Sequence, residues 1–196
     1  MTFNLMIAGV GGQGTVLASK LISAAAMKRG FDVRTTETIG MAQRGGSVFG
    51  HCRIGEKIFS PLIPMGKADA LIAFEPAEAA RQMAYLRKGA TVITCNAAIK
   101  PITDPSAGNI YEAETMLDFL KINVPNLIML DVKRLINDNK SSFNPKTLNV
   151  LLLGAAVQSG IFPFDAETLK SVFTEMLPQR FLEMNLKAFE KGRELV

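Results

Sequence analysis

Apolar and polar positions along the chain follow two periods, and their succession is typical of an α/β protein. Apolar runs of roughly four to eight residues predict buried strands, whereas apolar positions that recur every three or four residues predict helices. The predicted strands span residues 3–8, 31–39, 68–74, 90–95 and 126–131. The predicted helices span residues 14–28, 76–86, 112–121 and 132–137, and then 145–159, 165–177 and 178–195.

One segment departs from this regular order. A glycine-punctuated stretch at residues 40–47 is followed by alternating residues up to Ile54, a turn at residues 55–56 and a short return strand at residues 57–60. This pattern predicts a β-hairpin inserted where a second helix is expected. Residues 1–196 are therefore predicted to form a single domain of α/β class. Its expected architecture is a Rossmann-like, doubly wound, mostly parallel sheet with an inserted β-hairpin and a helical C-terminal third.

The composition and charge of the chain indicate which classes of partner it could bind. Hydrophobic residues make up 48% of the chain and charged residues 20%, an apolar surplus that predicts a buried subunit interface. The net charge of +4 is spread along the chain without a basic run, so no nucleic acid partner is predicted. The longest apolar run, residues 150–157, is too short to span a bilayer, and the first residues lack the pattern of a signal peptide. A cytoplasmic protein without a membrane partner is expected.

The cysteines and the single histidine carry no recognisable catalytic or metal-binding pattern. Cys52 and Cys95 stand 43 positions apart without a C-x-x-C pair, so this chain alone provides neither an iron–sulfur cluster nor a structural zinc site. We expect both to be reduced packing residues. His51 lies on the alternating strand, where a polar surface residue is expected, and no Ser or Cys partner with a suitably spaced carboxylate supports a triad. No catalytic residue and no metal site are predicted.

The first candidate site is the glycine turn, residues 9–14, which joins the first strand to the first helix. Gly9, Gly11 and Gly14 have the G-x-G-x-x-G spacing, and the free N–H groups of a helix N-terminus favour a bound anion. The predicted binding residues of the turn therefore also include Gly12 and Gln13. Glu37, which lies 23 residues beyond Gly14, is placed to be the acidic ribose partner of a dinucleotide. The alternative is a turn that only packs the helix tightly on the sheet.

The second candidate site is the run Gln43-Arg44-Gly45-Gly46. A guanidinium beside glycine N–H groups suits a carboxylate or a phosphate. The alternative is a loop whose arginine is solvated or pairs across a subunit interface. Because the run follows the second strand, it is expected to approach the glycine turn at the carboxyl ends of the strands. Glu75 also follows a strand, and it either faces this site or complements the dipole of the next helix.

With these residues in view, the chain resembles the γ-type subunits of the 2-oxoacid:ferredoxin oxidoreductases and is most similar to the indolepyruvate branch of that family. The matching segments occur in family order over nearly the whole chain. They are Gly9-Val-Gly-Gly-Gln-Gly14, Thr38-Ile-Gly-Met-Ala-Gln-Arg-Gly-Gly-Ser-Val48, Ser60-Pro61, Ala68-Asp69, Phe74-Glu-Pro76 and Asn149-Val-Leu-Leu-Leu-Gly-Ala155.

The resemblance implies a subunit of an anaerobic complex that is not active alone. In such complexes a 2-oxoacid is oxidatively decarboxylated on thiamine diphosphate, electrons pass through iron–sulfur clusters to ferredoxin, and the acyl group leaves on coenzyme A. This chain lacks a Gly-Asp-Gly magnesium–diphosphate signature and the cysteines for clusters. Thiamine diphosphate, magnesium and the clusters are therefore expected on a larger partner subunit, with coenzyme A as co-substrate.

Three functions follow as hypotheses. The first is a non-thiamine-binding subunit that lends its glycine turn and residues 43–46 to the partner's active-site region or to a phosphate of coenzyme A. The second is a free-standing NAD(P)-binding oxidoreductase, which the glycine turn and Glu37 favour. The third is a purely structural assembly subunit, which the apolar surplus favours.

Overall fold

The computed structural model describes residues 2–37, 45–98, 113–137 and 143–196. Its strands are β1 (Thr2–Val10), β2 (Asp32–Glu37), β3 (Ser47–Gly55), β4 (Ala68–Ala73), β5 (Leu86–Cys95) and β6 (Asn126–Leu130). Its helices are α1 (Thr15–Lys28), α2 (Pro76–Arg81), α3 (Ala113–Asn123), α4 (Val132–Asn137), α5 (Leu148–Gln158), α6 (Ala166–Met176) and α7 (Gln179–Glu194). The predicted α/β class and the helical C-terminal third are confirmed.

The six strands form one mixed sheet in the order β2-β3-β1-β4-β5-β6. β1, β4, β5 and β6 pair in parallel, and β3 runs antiparallel to both of its neighbours, β1 and β2. A strand, a helix and a second strand in succession at the start of the chain predict that β1 and β2 pair in parallel, and this prediction is wrong because β3 lies between them. The alternation of apolar and polar residues identifies a strand in the sequence. It does not identify the strands with which it pairs, because pairing depends on residues far away in the chain.

The inserted hairpin exists, but its two strands are β2 and β3. Asp32 pairs with Gly55 and Glu37 with Gly50, so the chain reverses between these strands. The return strand expected at residues 57–60 does not form. Instead, the backbone N–H of Ile58 donates to the Asp32 carboxylate, at 2.9 Å, which fixes this segment by a side chain and not by a strand ladder.

Both faces of the sheet are covered, as in a doubly wound fold. Successive residues of β1 point to opposite faces, and Ile7 packs with α1, α5 and α6 whereas Met6 packs with α2 and α3. Cys52 and Cys95 are buried free thiols, and burial raises the pKa of each to about 12. Among the helices in the described ranges, none has the length and apolarity to cross a membrane.

Helices α5 and α7 cross at very short range through two glycines. A Cβ atom on Gly154 of α5 would lie 2.1 Å from the carbonyl oxygen of Phe189 in α7. A Cβ atom on Gly192 of α7 would lie 1.9 Å from the carbonyl oxygen of Leu151 in α5. The two helix backbones are therefore in direct contact, and α7 closes the layer over α5.

The order of the strands reverses between β1 and β4. From β1 the chain moves through α1 to the β2 edge, whereas from β4 it moves through α2 to β5 and the opposite edge. Ligands of open α/β sheets bind beside the carboxyl ends of the strands at such a switch point. The glycine turn after β1 and the segment after β4 meet at this place.

Candidate functional site

The glycine turn at the end of β1 is closely packed. Gly9 and Gly11 flank the last residue of the strand, and Gly12 and Gly14 have positive φ angles of 102° and 83°. Gly14 is the N-cap of α1 and has no side chain with which to cap the helix. A Cβ atom on Gly9 would lie 2.8 Å from Oε1 of Gln13, so a larger residue would force that side chain to move. The backbone conformation requires glycine at positions 12 and 14, where φ is positive.

The side chain of Gln13 joins this turn to the end of β4. Its Oε1 accepts the backbone N–H of Val10 at 2.6 Å, and its Nε2 donates to the backbone carbonyl of Phe74 at 3.1 Å. Both polar ends of the amide are therefore bonded within the protein. These bonds hold the glycine turn in place, and the predicted contact of Gln13 with a ligand stays a prediction.

The structure brings Gly45 and Gly46 directly against the glycine turn. The N–H of Gly11 donates to the carbonyl of Gly46 at 2.8 Å, and the N–H of Gly45 donates to the carbonyl of Gly11 at 3.2 Å. These bonds extend the ladder between β1 and β3 by one step beyond Val10 and Ser47. The predicted approach of the two glycine segments is confirmed for these residues. Gln43 and Arg44, which immediately precede them, lie outside the described residues.

Glu37 is not on the strand next to the glycine turn. It ends β2 and pairs with Gly50 of β3, while β3 in turn pairs with β1. Glu37 is thus two strand spacings from β1, roughly 9.5 Å, instead of one. The inserted strand therefore weighs against the dinucleotide hypothesis, which needs an acidic residue on the strand beside the turn.

Two buried carboxylates follow β4 on the other side of the switch point. Glu75 caps α2, and its carboxylate accepts the backbone N–H of Glu78 at 3.1 Å, so the dipole interpretation of Glu75 is confirmed. The Glu78 side chain is fully buried and accepts the hydroxyl of Ser47 at 2.5 Å. Its second oxygen lies 3.2 Å from Nε of Arg81. Burial raises the pKa of Glu78, although the Ser47 hydrogen bond and the Arg81 charge oppose that rise.

A third buried polar side chain reaches the turn from α5. Nδ2 of Asn149 lies 3.4 Å from the carbonyl oxygen of Gly14, and a Cβ atom on Gly14 would lie 2.5 Å from the same nitrogen. The sequence analysis missed the roles of Glu78 and Asn149. Asn149 stands as the one polar residue in the apolar run from Leu148 to Leu153, and that exception is the signal that could have identified it.

His51 is buried and bonded within the protein, and it has a structural role. It is 6% exposed, so the predicted surface position is wrong. Its Nδ1 accepts the backbone N–H of Ile63 at 3.2 Å, and its ring contacts Phe49 and Tyr85 edge to face. Burial lowers its pKa below 6.5, so the imidazole is neutral near pH 7. The histidine thus fixes the segment that follows β3.

The site is suited to binding an anion more than to moving protons. The Gly11 and Gly45 N–H groups are bonded to backbone carbonyls, and the polar side chains of Gln13 and Glu78 are bonded inside the protein. The feature of the described residues that favours an anion is therefore the N-terminus of α1, which no side chain caps. A helix N-terminus favours carboxylate or phosphate oxygens. Within the part of the chain that the structure describes, no cluster of three His, Cys, Asp or Glu residues is placed to hold a metal ion.

Comparison with known proteins gives consistent matches along the whole chain. Residues 4–195 match the family described as pyruvate ferredoxin/flavodoxin oxidoreductase. The indolepyruvate oxidoreductase subunit IorB of Pyrococcus horikoshii is 37% identical over 200 residues, which cover 97% of this chain and 94% of that protein. The corresponding subunit of Thermococcus kodakarensis is 36% identical over 195 residues, with 97% and 94% covered.

A solved structure with the same fold is the gamma subunit of a keto/oxoacid ferredoxin oxidoreductase from Geobacter sulfurreducens. It superposes with a TM-score of 0.67 at 22% identity, and the match covers 98% of this chain and 97% of that subunit. A further likeness, with a TM-score of 0.69 at 20% identity, is to the 2-oxoglutarate:ferredoxin oxidoreductase of Magnetococcus marinus. That match covers 99% of this chain and 31% of the longer one, whose structure has coenzyme A and succinyl-CoA bound.

Proposed function

The chain belongs to the pyruvate ferredoxin/flavodoxin oxidoreductase family, and from this we propose that it is the small, non-thiamine-binding subunit of a 2-oxoacid:ferredoxin oxidoreductase. The complex would oxidatively decarboxylate indolepyruvate: its carboxyl group would leave as carbon dioxide, its acyl group would be transferred to coenzyme A, and two electrons would pass to ferredoxin. The observation that carries the proposal is the 37% identity to an indolepyruvate oxidoreductase subunit across 97% of the chain. The family resemblance seen in the sequence motifs is confirmed by these matches.

In this proposal, a larger partner subunit holds thiamine diphosphate, magnesium and the iron–sulfur clusters. The two cysteines of this chain support that division of labour. Cys52 and Cys95 lie on different strands inside the core, and each has a pKa of about 12. A cluster ligand is a thiolate, and burial without a nearby cation disfavours that form.

The contribution of this chain is the paired glycine segments at the switch point. The ladder between Gly11 and Gly46 places the end of the Gln43-Arg44-Gly45-Gly46 run beside the N-terminus of α1. The N–H groups at the start of α1 and the Arg44 guanidinium would bind an anionic group: either a phosphate of coenzyme A or a carboxylate in the partner's active-site region. Coenzyme A is the first ligand to test, because the Magnetococcus marinus oxidoreductase, part of which has this fold, has coenzyme A bound.

The experiment that tests the function is an anaerobic affinity purification of the tagged chain from its native source. We expect a brown eluate that contains a larger subunit and reduces a viologen dye with indolepyruvate in the presence of coenzyme A. Pyruvate and 2-oxoglutarate serve as comparison substrates, and omission of coenzyme A is the control. A colourless, partner-free preparation without 2-oxoacid activity would contradict the proposal.

The two other functions make different predictions for the same material. A free-standing oxidoreductase would bind NAD(P) as the isolated chain, which titration with the nucleotide measures. The position of Glu37, with β3 between it and β1, weighs against that result. A purely structural subunit would leave full turnover when the glycine turn and residues 43–46 are both mutated, while the complex would still need the chain to assemble.

A further inference from the structure

The start of β3 is held by a side-chain bond as well as by its ladder. Ser47 follows Gly46, whose carbonyl accepts the N–H of Gly11, and Ser47 itself pairs with Val10. The Ser47 hydroxyl points to the opposite side of the switch point and donates to Oε2 of Glu78 at 2.5 Å. One residue thus ties the second glycine segment to α2, an element that comes 31 positions later in the chain.

Glu78 is a rigid acceptor for that bond. Its side chain is fully buried, and its backbone N–H donates to the Glu75 carboxylate that caps α2. Its second carboxylate oxygen faces Arg81, whose side chain is 58% exposed. The charged end of the arginine is therefore open to water, and the oxygen that accepts from Ser47 is enclosed.

This arrangement is costly if it serves stability alone. A carboxylate that is taken out of water loses its hydration, and one hydroxyl donor together with a largely exposed arginine recovers only part of that free energy. The raised pKa of Glu78, which burial causes, is the sign of that cost. A buried carboxylate at this position therefore needs another explanation, and its contact with the glycine segment provides one.

We propose that Ser47 and Glu78 are positioning residues that hold residues 45–47 against the glycine turn. Each acts through residues 45–47 and not by touching the substrate. The inference rests on the proposed function only for its kinetic consequence. The positioning itself is a property of this chain.

Paired variants separate positioning from stability. Ser47→Ala leaves the Glu78 carboxylate buried without its hydroxyl donor, so we expect a lower Tm. The double variant Ser47→Ala/Glu78→Leu removes both polar partners, and we expect its Tm to recover toward that of the wild type. If the bond positions residues 45–47, the double variant regains stability, but these residues stay displaced from the glycine turn. Ser47→Thr keeps the hydroxyl and restores both the stability and the position of these residues.

The readouts are amide exchange and steady-state kinetics of the assembled complex. In Ser47→Ala and in the double variant we expect the Gly11 amide to exchange about fivefold faster and KM for coenzyme A to rise about fivefold, the effect of one lost hydrogen bond. We expect kcat to change by less than about twofold, since the loss affects binding. Ser171→Ala is the matched control, because that hydroxyl donates to the carbonyl of Thr168 within α6.

The inference would be overturned if the double variant had the wild-type exchange rate at the Gly11 amide and the wild-type KM for coenzyme A. The bond between Ser47 and Glu78 would then contribute to stability only. Fast exchange with an unchanged KM would overturn its kinetic part. A wild-type complex without 2-oxoacid activity would overturn the proposed function instead. The exchange of Gly11 would still decide whether Ser47 and Glu78 hold the segment.

Discussion

Arg44 is the residue on which the proposed anion site most depends. Replacing it with Ala removes a guanidinium that would bind carboxylate or phosphate oxygens in a bidentate manner. We expect the complex to assemble and its kcat/KM for coenzyme A or the 2-oxoacid to fall by roughly ten- to a hundredfold, the effect of losing a charge-assisted hydrogen bond. Dye reduction by the purified complex measures this, with Arg29→Ala, an exposed arginine at the end of α1, as the control. Unchanged kinetics would contradict the proposal that Arg44 binds an anionic group.

His51 gives the fold a specific dependence on pH. Its pKa is lowered in the folded chain by burial, so between that value and 6.5 the unfolded chain binds more protons. Stability therefore rises with pH across this window and falls as the pH drops below about 6.5. We expect urea unfolding at pH 7.5 and pH 5.5 to show this loss in the wild type and a smaller loss in His51→Gln.

The comparison with His51→Gln is needed because Glu78 changes the stability in the opposite direction as the pH falls. Its folded pKa is raised, so it favours folding as the pH falls toward 4.5. An equal loss of stability in the wild type and in His51→Gln would show that the histidine does not titrate as described.

At the residue scale, the sequence predicted backbone features better than side-chain partners. The glycine turn and its meeting with Gly45 and Gly46 follow from local spacing and from the place of each segment at a strand end. Nε2 of Gln13 donates to a carbonyl 61 positions away, and Nδ2 of Asn149 lies beside one 135 positions away. No local pattern specifies contacts of that kind, so neither contact was predicted.

At the element scale, the α5–α7 crossing makes a sharp prediction for Gly192. Alanine normally stabilises a helix by about 1 kcal/mol over glycine. Here its Cβ would lie 1.9 Å from the Leu151 carbonyl, and overpacking of that kind costs about 3 kcal/mol. We therefore expect Gly192→Ala to lower the free energy of unfolding by at least about 2 kcal/mol in urea titrations.

The neighbouring Lys191→Ala is the matched control for this crossing. Lys191 is exposed and forms a surface ion pair with Glu194, so its loss should change stability by less than about 0.5 kcal/mol. A Gly192→Ala protein as stable as the wild type would mean that the two helices separate without cost.

The sequence predicted the elements themselves well, because each has its own period. It predicted their neighbours less well. The alternating residues of β3 identify a strand, but its insertion between β1 and β2 depends on hydrogen bonds to two other strands. The return strand at residues 57–60 was expected from a turn signal, and the structure replaces it with the bond between Ile58 and Asp32.

At the scale of the whole molecule, the two thiols report on the integrity of one core. Cys52 and Cys95 lie on different strands but belong to the same buried cluster, and each pKa of about 12 stands well above the ordinary 9.0. At pH 8 the thiolate fraction is then about a thousandfold lower than in an exposed cysteine, so we expect no native alkylation on the time scale of unfolded-chain labelling.

Labelling with iodoacetamide across a guanidinium titration measures this. Both cysteines should become reactive together, at the midpoint of global unfolding. Early labelling of one of them would reveal local opening of its strand and would contradict a single cooperative core.

The hairpin formed by β2 and β3 also has a consequence for how such chains diversify. Glu37 ends β2, and Gly45 is bonded to Gly11, so the residues between them start and end at fixed points of the sheet. For a chain segment between two fixed ends, doubling the number of residues costs only about 0.6 kcal/mol of closure entropy. Changes of length among residues 38–44 therefore cost the fold little, whereas Gly45, Gly46 and Ser47 are held in place. The sheet can stay constant while natural variation, or a designer, changes the length of the segment that it carries.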